Sequence, residues 1–255
     1  MIDVVAAVND EDVLAANLLR SPMLARDDVR FHARRGFHSA SRAYDDALSD
    51  CTADIVVFAH QDVYLPEGWQ AQLMAQVAQV AQRDPEWGVL GVYGVTAQGR
   101  HAGCVWNSGL QRVLGAPFEQ PVPVQSVDEA LVVLRRHSGL NFDPKMPGYH
   151  LYAADLVQSA LDRGLGAYVV SAPVVHNSRR ARLLREDYFE ADRYLAHKWF
   201  DRLPIRATPA PVLPWGPRWL ALRAAHRVMS WTRPAVAHPP RPLDCVAIAR
   251  QLNFE

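Results

Sequence analysis

The chain has few cysteines, no long apolar run and no net charge, and each shortage narrows what it can be. Only three cysteines, Cys51, Cys104 and Cys245, occur in 255 residues. Their wide spacing and odd number argue against a disulfide framework or a Cys-x-x-Cys metal site, and favour a reducing, cytoplasmic setting. No stretch approaches the roughly 20 apolar residues of a membrane-spanning helix. The first residues, MIDVVAAV, run straight into an apolar strand without a basic lead, which argues against a signal peptide. Twenty-seven basic residues balance twenty-seven acidic ones, so charge gives no reason to expect nucleic acid as a partner. Gly88, Gly91 and Gly94 lack the spacing of the dinucleotide fingerprint. A phosphate-loop lysine motif, a nucleophile elbow and His-Glu-x-x-His are all missing. What is present is ordinary for a globular protein, 49% hydrophobic and 21% charged. The length suits one large α/β domain, alone or with a short appendage.

The stretch richest in information is Asp54–Trp69, DIVVFAHQDVYLPEGW. Ile55 to Phe58 are β-branched or aromatic, the composition of a strand buried on both faces of a parallel sheet. The run breaks into His60-Gln61-Asp62, and Pro66 marks the first turn of a following helix. Residues two apart on an extended chain share a side, so His60 and Asp62 can reach one cation or one phosphate. Open α/β sheets bind ligands beyond the carboxyl ends of their strands, where this cluster falls.

The rest of the chain reads in the same alternating way. Ile2–Val8 is the first strand, followed by a helix capped within Asn9-Asp10-Glu11-Asp12. Val29–Ala33 is a weak strand. Ser39-Ala40-Ser41 opens a helix with Tyr44, Ala47, Leu48 and Cys51 on one face. A helix from Trp69 to about Gln82 precedes a strand between Trp87 and Val95. Strand–helix repetition of this kind predicts parallel pairing with right-handed crossovers. Further on, Gly99–Leu114 resembles a hairpin with Trp106-Asn107-Ser108-Gly109 as its turn, and Val124–Leu134 reads as one strand of antiparallel character. Tyr149 to about Arg163 is helical, Ala167–Val175 is a strand interrupted at Pro173, and Tyr188 to Trp199 is a last helix. Five prolines between residues 204 and 217 mark an arm, and a short helix near Arg218–Trp231 follows.

The strand ending in His60-Gln61-Asp62, the Ser41-to-Asp45 helix start and the Pro66-Glu67-Gly68-Trp69 helix opening occur in an order that resembles the family-2-like GT-A glycosyltransferases. The resemblance covers most of the domain at residues 1–203 and none of the tail, 204–255. It implies an α/β, GT-A-like nucleotide-diphospho-sugar transferase fold, with a mixed, mostly parallel sheet flanked by helices. It also implies transfer of a sugar from a nucleotide-sugar donor to a glycan or lipid-linked hydroxyl acceptor, with inversion. In that family the strand ends in Asp-x-Asp and holds a divalent cation against the diphosphate. Here His60 replaces the first acid, leaving Asp62 as the direct ligand of Mn2+ or Mg2+, with His60 and His176 assisting. Asn9, Asp10, Asp45 and Gln61 fall where the family holds the donor. The family's general base comes from an acid-bearing helix after a Phe-Asp strand end, here Phe142-Asp143. Its Glu-Asp pair is replaced by Tyr152-Ala153, which leaves Asp155 as the expected base, with His150 as the substitute. Asp128 and Glu129 are costly to bury unpaired and are expected, with Trp106, to meet the acceptor.

Two other readings stay open. A degenerate domain could bind nucleotide or glycan without catalysis. A nucleotidyltransferase would need a glycine-rich basic loop after the first strand, where this chain has Asn9-Asp10-Glu11-Asp12. In the tail, Trp215, Trp219 and Trp231 lie among Arg218, Arg223, His226, Arg227 and Arg233. Such a helix suits peripheral membrane contact, cover for an apolar flank, or a homodimer. Ser178-Arg179-Arg180 would suit a diphosphate.

Overall fold

The computed structural model describes residues 1–178, 186–232 and 243–255. In chain order the strands are β1 (Ile2–Val8), β2 (Val29–Arg35), β3 (Ile55–Ala59), β4 (Val63–Tyr64), β5 (Trp87–Gly91), β6 (Tyr93–Val95) and β7 (His101–Asn107). They continue with β8 (Arg112–Gly115), β9 (Val122–Pro123), β10 (Ser126–Val127), β11 (Leu131–Arg135), β12 (Gly166–Val169) and β13 (Val174–His176). The helices are α1 (Glu11–Ala16), α2 (Ala40–Leu48), α3 (Trp69–Arg83), α4 (Tyr152–Asp162), α5 (Glu186–Lys198), α6 (Pro217–Thr232) and α7 (Cys245–Gln251).

A seven-stranded sheet in the order β2-β1-β3-β11-β5-β12-β9 forms the centre. β1 runs parallel to β2 and β3, and β12 parallel to β5, whereas β11 runs antiparallel between β3 and β5. The sheet is therefore mixed, as expected, but not mostly parallel: the insertion of β11 and the edge strand β9 make half of its pairings antiparallel. Alternation along β3 sends Val56 and Phe58 into the core beneath α2, α4 and α5, and Ile55, Val57 and Ala59 into the one beneath α1 and α3. Cover on both faces explains why β3 carries no polar residue.

A smaller sheet, β10-β6-β7-β13-β4, joins at the carboxyl end of β3. Two strands read as continuous are split here. Trp87–Val95 divides into β5 and β6, which belong to different sheets. Val124–Leu134 divides into β10 and β11, because Asp128 Oδ1 accepts from Ala130 N at 3.0 Å and turns the chain. Asp128 and Glu129 thus lie in a break between strands and not within one. Gly94 is required where β6 meets β10: a Cβ there would sit 2.3 Å from the Ser126 carbonyl oxygen.

The segment after residue 203 packs back onto the domain. Ile205, Ala207 and Val212 join the core under α4, and Trp219 of α6 is buried there too. Trp219 Nε1 donates to Asp192 at 2.6 Å, and its ring lies 6.3 Å from Phe189. Trp219 therefore covers an apolar flank of α5 and is unavailable to a membrane. Trp215, just ahead of α6, is 60% exposed. The side chains of Arg218, His226, Arg227 and Trp231, and all of Arg179, Arg180 and Arg233, lie outside the described residues.

Candidate metal and diphosphate site

The cluster forms where the chain leaves the large sheet for the small one. After Ala59 ends β3, His60 N donates to Ala130 O at 3.0 Å, and Val63 N closes a turn on His60 O at 3.0 Å. β4 then pairs antiparallel with β13, with Val63 opposite His176. Asn177 N donates to Asp62 O at 2.8 Å and locks the turn to the end of β13. Alternation along β13 turns Val175 into a separate core with Tyr64, Cys104 and α7, and gives His176 the opposite side.

His176 Nε2 lies 3.3 Å from Asp62 Oδ1, and His60 Nδ1 lies 3.9 Å from the same oxygen. One ligand atom from each of the three residues lies within 4.8 Å of the others, near enough for one ion to take all three after small rotations. The hydrogen-bond network assigns the tautomer of His60. The Glu129 carbonyl can only accept, so the Tyr152 hydroxyl donates to it at 2.8 Å. His60 Nε2, 2.9 Å from that hydroxyl oxygen, must then donate, leaving the Nδ1 lone pair turned toward Asp62.

Electrostatics agree with this assignment. Burial lowers the pKa of His60, so it stays neutral. Burial alone would raise Asp62, but His176, which pairs with it, holds its carboxyl down at about 2. His176 is raised: burial opposes its charge, and the Asp62 carboxylate outweighs that. An ionised carboxylate and a neutral imidazole with a bare nitrogen are a ready cation-ligand pair. With a second imidazole the set is softer than the all-oxygen shell Mg2+ prefers, and it fits Mn2+ better.

The remaining expected residues separate into those the fold gathers here and those it does not. Gln61 joins this turn to the first one: its Oε1 accepts from Asn9 N at 3.0 Å and Asp10 N at 3.2 Å, and its Nε2 donates to Asn9 Oδ1 at 2.6 Å. Asp10 also caps α1 through Val13 N. Glu129 reaches the site through its carbonyl, while its carboxylate accepts from Leu151 N and faces His150. Asp128 is held by Ala130 N and by Thr208 Oγ1 at 2.9 Å.

Asp155 is elsewhere. It is 2% exposed, and its two oxygens accept from Lys198 Nζ at 2.8 Å and Trp199 Nε1 at 2.7 Å. The helix-start spacing that put an acid near the acceptor instead turns it beneath α5. Asp45 lines a different cavity of about 440 Å³, with Arg136, Asn141 and Pro144. Trp106 pairs with Val175, on the side of β13 away from His176, and packs against the α7 core. In the sequence Tyr152 stands out only as the residue in place of the family's acid. A tyrosine opening a buried helix is its one sequence signal.

A second group of ligand-type side chains, Asp3, His32 and Cys51, lies at the other end of the sheet. There Asp3 already accepts from Arg30, His32, Thr52 N and Ala53 N, so its oxygens are satisfied by the protein.

No family model matches the chain. The Fuscovulum blasticum protein described as ATP synthase subunits region ORF 6 is 30% identical over 176 residues, 64% of this chain and 68% of that one. Among solved structures, GalNAc-T7 with UDP, GalNAc and Mn2+ superposes with a TM-score of 0.50 at 11% identity, over 89% of this chain. This chain spans about half, 54%, of the GalNAc-T7 chain. The mannosyltransferase PcManGT from Pyrobaculum calidifontis, in complex with GDP-Man and Mn2+, gives 0.49 at 13% identity, over 99% of this chain and 79% of that one. At such identities the likeness is one of fold, and the fold is the GT-A fold of the glycosyltransferases.

Proposed function

The chain belongs to the family of the Fuscovulum blasticum ORF 6 protein, and we propose that it is a glycosyltransferase moving a sugar from a nucleotide-sugar donor to a hydroxyl on a glycan or lipid-linked acceptor, with inversion. The observation that carries this reading is the His60–Asp62–His176 cluster at the strand ends of a GT-A fold. Asp62, His60 and His176 hold a divalent cation, Mn2+ in preference to Mg2+. Such an ion supplies positive charge against the diphosphate that leaves as the sugar is transferred. The Asn9–Asp10–Gln61 bridge receives the nucleoside end of the donor. Three unpaired, buried cysteines suit a reducing compartment, and we place the protein in the cytoplasm. Among the described residues no helix is long and apolar enough to cross a membrane. With a lipid-linked acceptor, Trp215 is the aromatic that meets the bilayer surface; a homodimer through the same face is the other arrangement.

The engagement of Asp155 by Lys198 and Trp199, with Ala153 buried beside it, favours one second reading, a domain that binds its nucleotide without turnover. Thermal-shift screening against UDP, GDP, dTDP and CMP, with and without Mn2+, tests the main proposal. The expected result is a cation-dependent rise in melting temperature with one nucleotide, lost in Asp62→Ala. No shift with any nucleotide would sink the donor site. Hydrolysis of the matching nucleotide sugar separates the enzyme from the pure binder.

A further inference from the structure

We propose that His150, held by Glu129, is the catalytic base of this site, taking the proton of the acceptor hydroxyl in place of the helix acid; this rests on the glycosyltransferase reading above. His150 Nδ1 lies 3.5 Å from Glu129 Oε2, and Nε2 lies 3.9 Å from Asp187 Oδ2. The residue is half-buried against the edge of Tyr188, with ring centroids 5.6 Å apart. Its backbone is set by two left-handed neighbours, Gly148 at φ 64° and Leu151 at φ 61°. Leucine rarely adopts that conformation. Here the Glu129 carboxylate secures it by accepting from Leu151 N, so one side chain fixes both the strained residue and the imidazole before it. Through its carbonyl the same Glu129 bonds Tyr152, which bonds His60. His150 is thus tied to the cation cluster by one continuous chain of contacts.

Three of the carboxylates expected near the acceptor are already engaged. Both oxygens of Asp128 are engaged, as are those of Asp155, and Glu129 divides its two between Leu151 N and His150. His150 has Nδ1 turned to Glu129, and Nε2, which at 3.9 Å from Asp187 Oδ2 is beyond hydrogen-bond distance of it, is the nitrogen that accepts a proton. In the step, the acceptor oxygen bonds to the anomeric carbon as the bond from that carbon to the diphosphate oxygen breaks. The electron pair leaves with the nucleotide diphosphate, and the hydroxyl proton goes to Nε2. Glu129 is a positioning residue that stabilises the imidazolium. Among the described residues, the charged and titratable groups facing His150 are Glu129 from the β10–β11 break and Asp187 and Tyr188 from α5.

The test uses water as acceptor and a panel of UDP-, GDP- and dTDP-sugars with Mn2+, following sugar release and, separately, the melting shift given by the nucleotide diphosphate. His150→Gln should lose at least 100-fold in kcat with KM and the melting shift unchanged. His150→Ala should be rescued by added imidazole. Glu129→Gln should lose about tenfold and move the acidic limb of the pH–rate profile to lower pH, which a merely structural role would not do. Retention of kcat within threefold in His150→Gln, or absence of rescue in His150→Ala, overturns the assignment. So does a wild type that binds nucleotide diphosphate yet releases no sugar, and that result leaves the donor site standing. A wild type that binds no nucleotide diphosphate overturns the donor site itself.

Discussion

At the scale of single residues, most of the site's order comes from one hydroxyl. Tyr152 gives its proton to the Glu129 carbonyl and takes one from His60, and so decides which imidazole nitrogen is bare. Tyr152→Phe keeps the ring packing against Tyr44 and Phe142 and removes the hydroxyl that sets this constraint and also meets Tyr44. Outer partners of ligating histidines are typically worth about 10–100-fold in metal affinity. Mn2+ titration by calorimetry should show a loss in that range, with about 1 kcal/mol of stability lost with the hydrogen bond. Unchanged Mn2+ affinity would remove Tyr152 from the site. Asp155 illustrates the opposite case, an acid with a structural task. Burial raises its pKa, opposed by Lys198 and Trp199, and it stays charged only in company. Lys198→Met leaves a buried carboxylate without its cation and should cost about 3–5 kcal/mol in denaturant unfolding. If Asp155 were the base, Asp155→Asn would abolish sugar release at little cost in stability.

At the scale of elements, the long periodic segments were legible and the breaks were not. β1, α2, β3 and α3 follow from runs such as IVVFA and from caps such as Ser39, whose Oγ accepts from Arg42 N. These depend on neighbours in sequence. The division of Val124–Leu134 depends on an Asp128 side chain folding onto its own backbone, and the division of Trp87–Val95 depends on which sheet each half joins. Neither is a periodicity. The site was half legible for the same reason. His60 and Asp62 are two residues apart on one turn, and His176 fell at a strand end. Asp45, Trp106 and Asp155 were placed by order along the chain, and helix rotation or strand alternation turns them away. The last element, α7, could not be foreseen as part of the site, yet it packs beneath β13. Asn177 Nδ2 donates to Leu243 O at 3.0 Å, and Cys245, Ala249 and Phe254 cover Val175. Ending the chain after residue 242 exposes that core. Burial of this size is worth about 3 kcal/mol, a fall of about 6–12 °C in melting temperature. Because His176 rides on the same strand, Mn2+ affinity should fall along with stability. Intact affinity would separate α7 from the site.

At the scale of the whole molecule, the two ends of the central sheet use carboxylates in different ways. At the carboxyl ends of the strands, Asp62 is held ionised beside two imidazoles, ready for an outside cation. At the amino ends, Asp3 of β1 is held ionised by the protein alone. Burial by itself would raise its pKa, but the Ala53 and Thr52 amides, His32 and Arg30 bring it below its ordinary 3.8. That single residue ties β1 to β2 through Arg30 and His32, and to the start of β3 through Thr52 and Ala53. The sign follows from linkage: a carboxyl with a lower pKa folded than unfolded adds stability in full above the unfolded value. The contribution shrinks as pH falls below about 4 and vanishes once pH is under the folded value. Asp3→Asn should therefore cost about 2–4 kcal/mol at pH 7, since it leaves Arg30 without its buried partner. It should cost far less at pH 2, and its stability curve between pH 4 and 2 should be shallower than that of the wild type. Urea unfolding at a series of pH values measures this directly. Parallel curves for the two proteins would mean that Asp3 titrates alike in both states, and that the amino end of the sheet is held by its apolar packing alone.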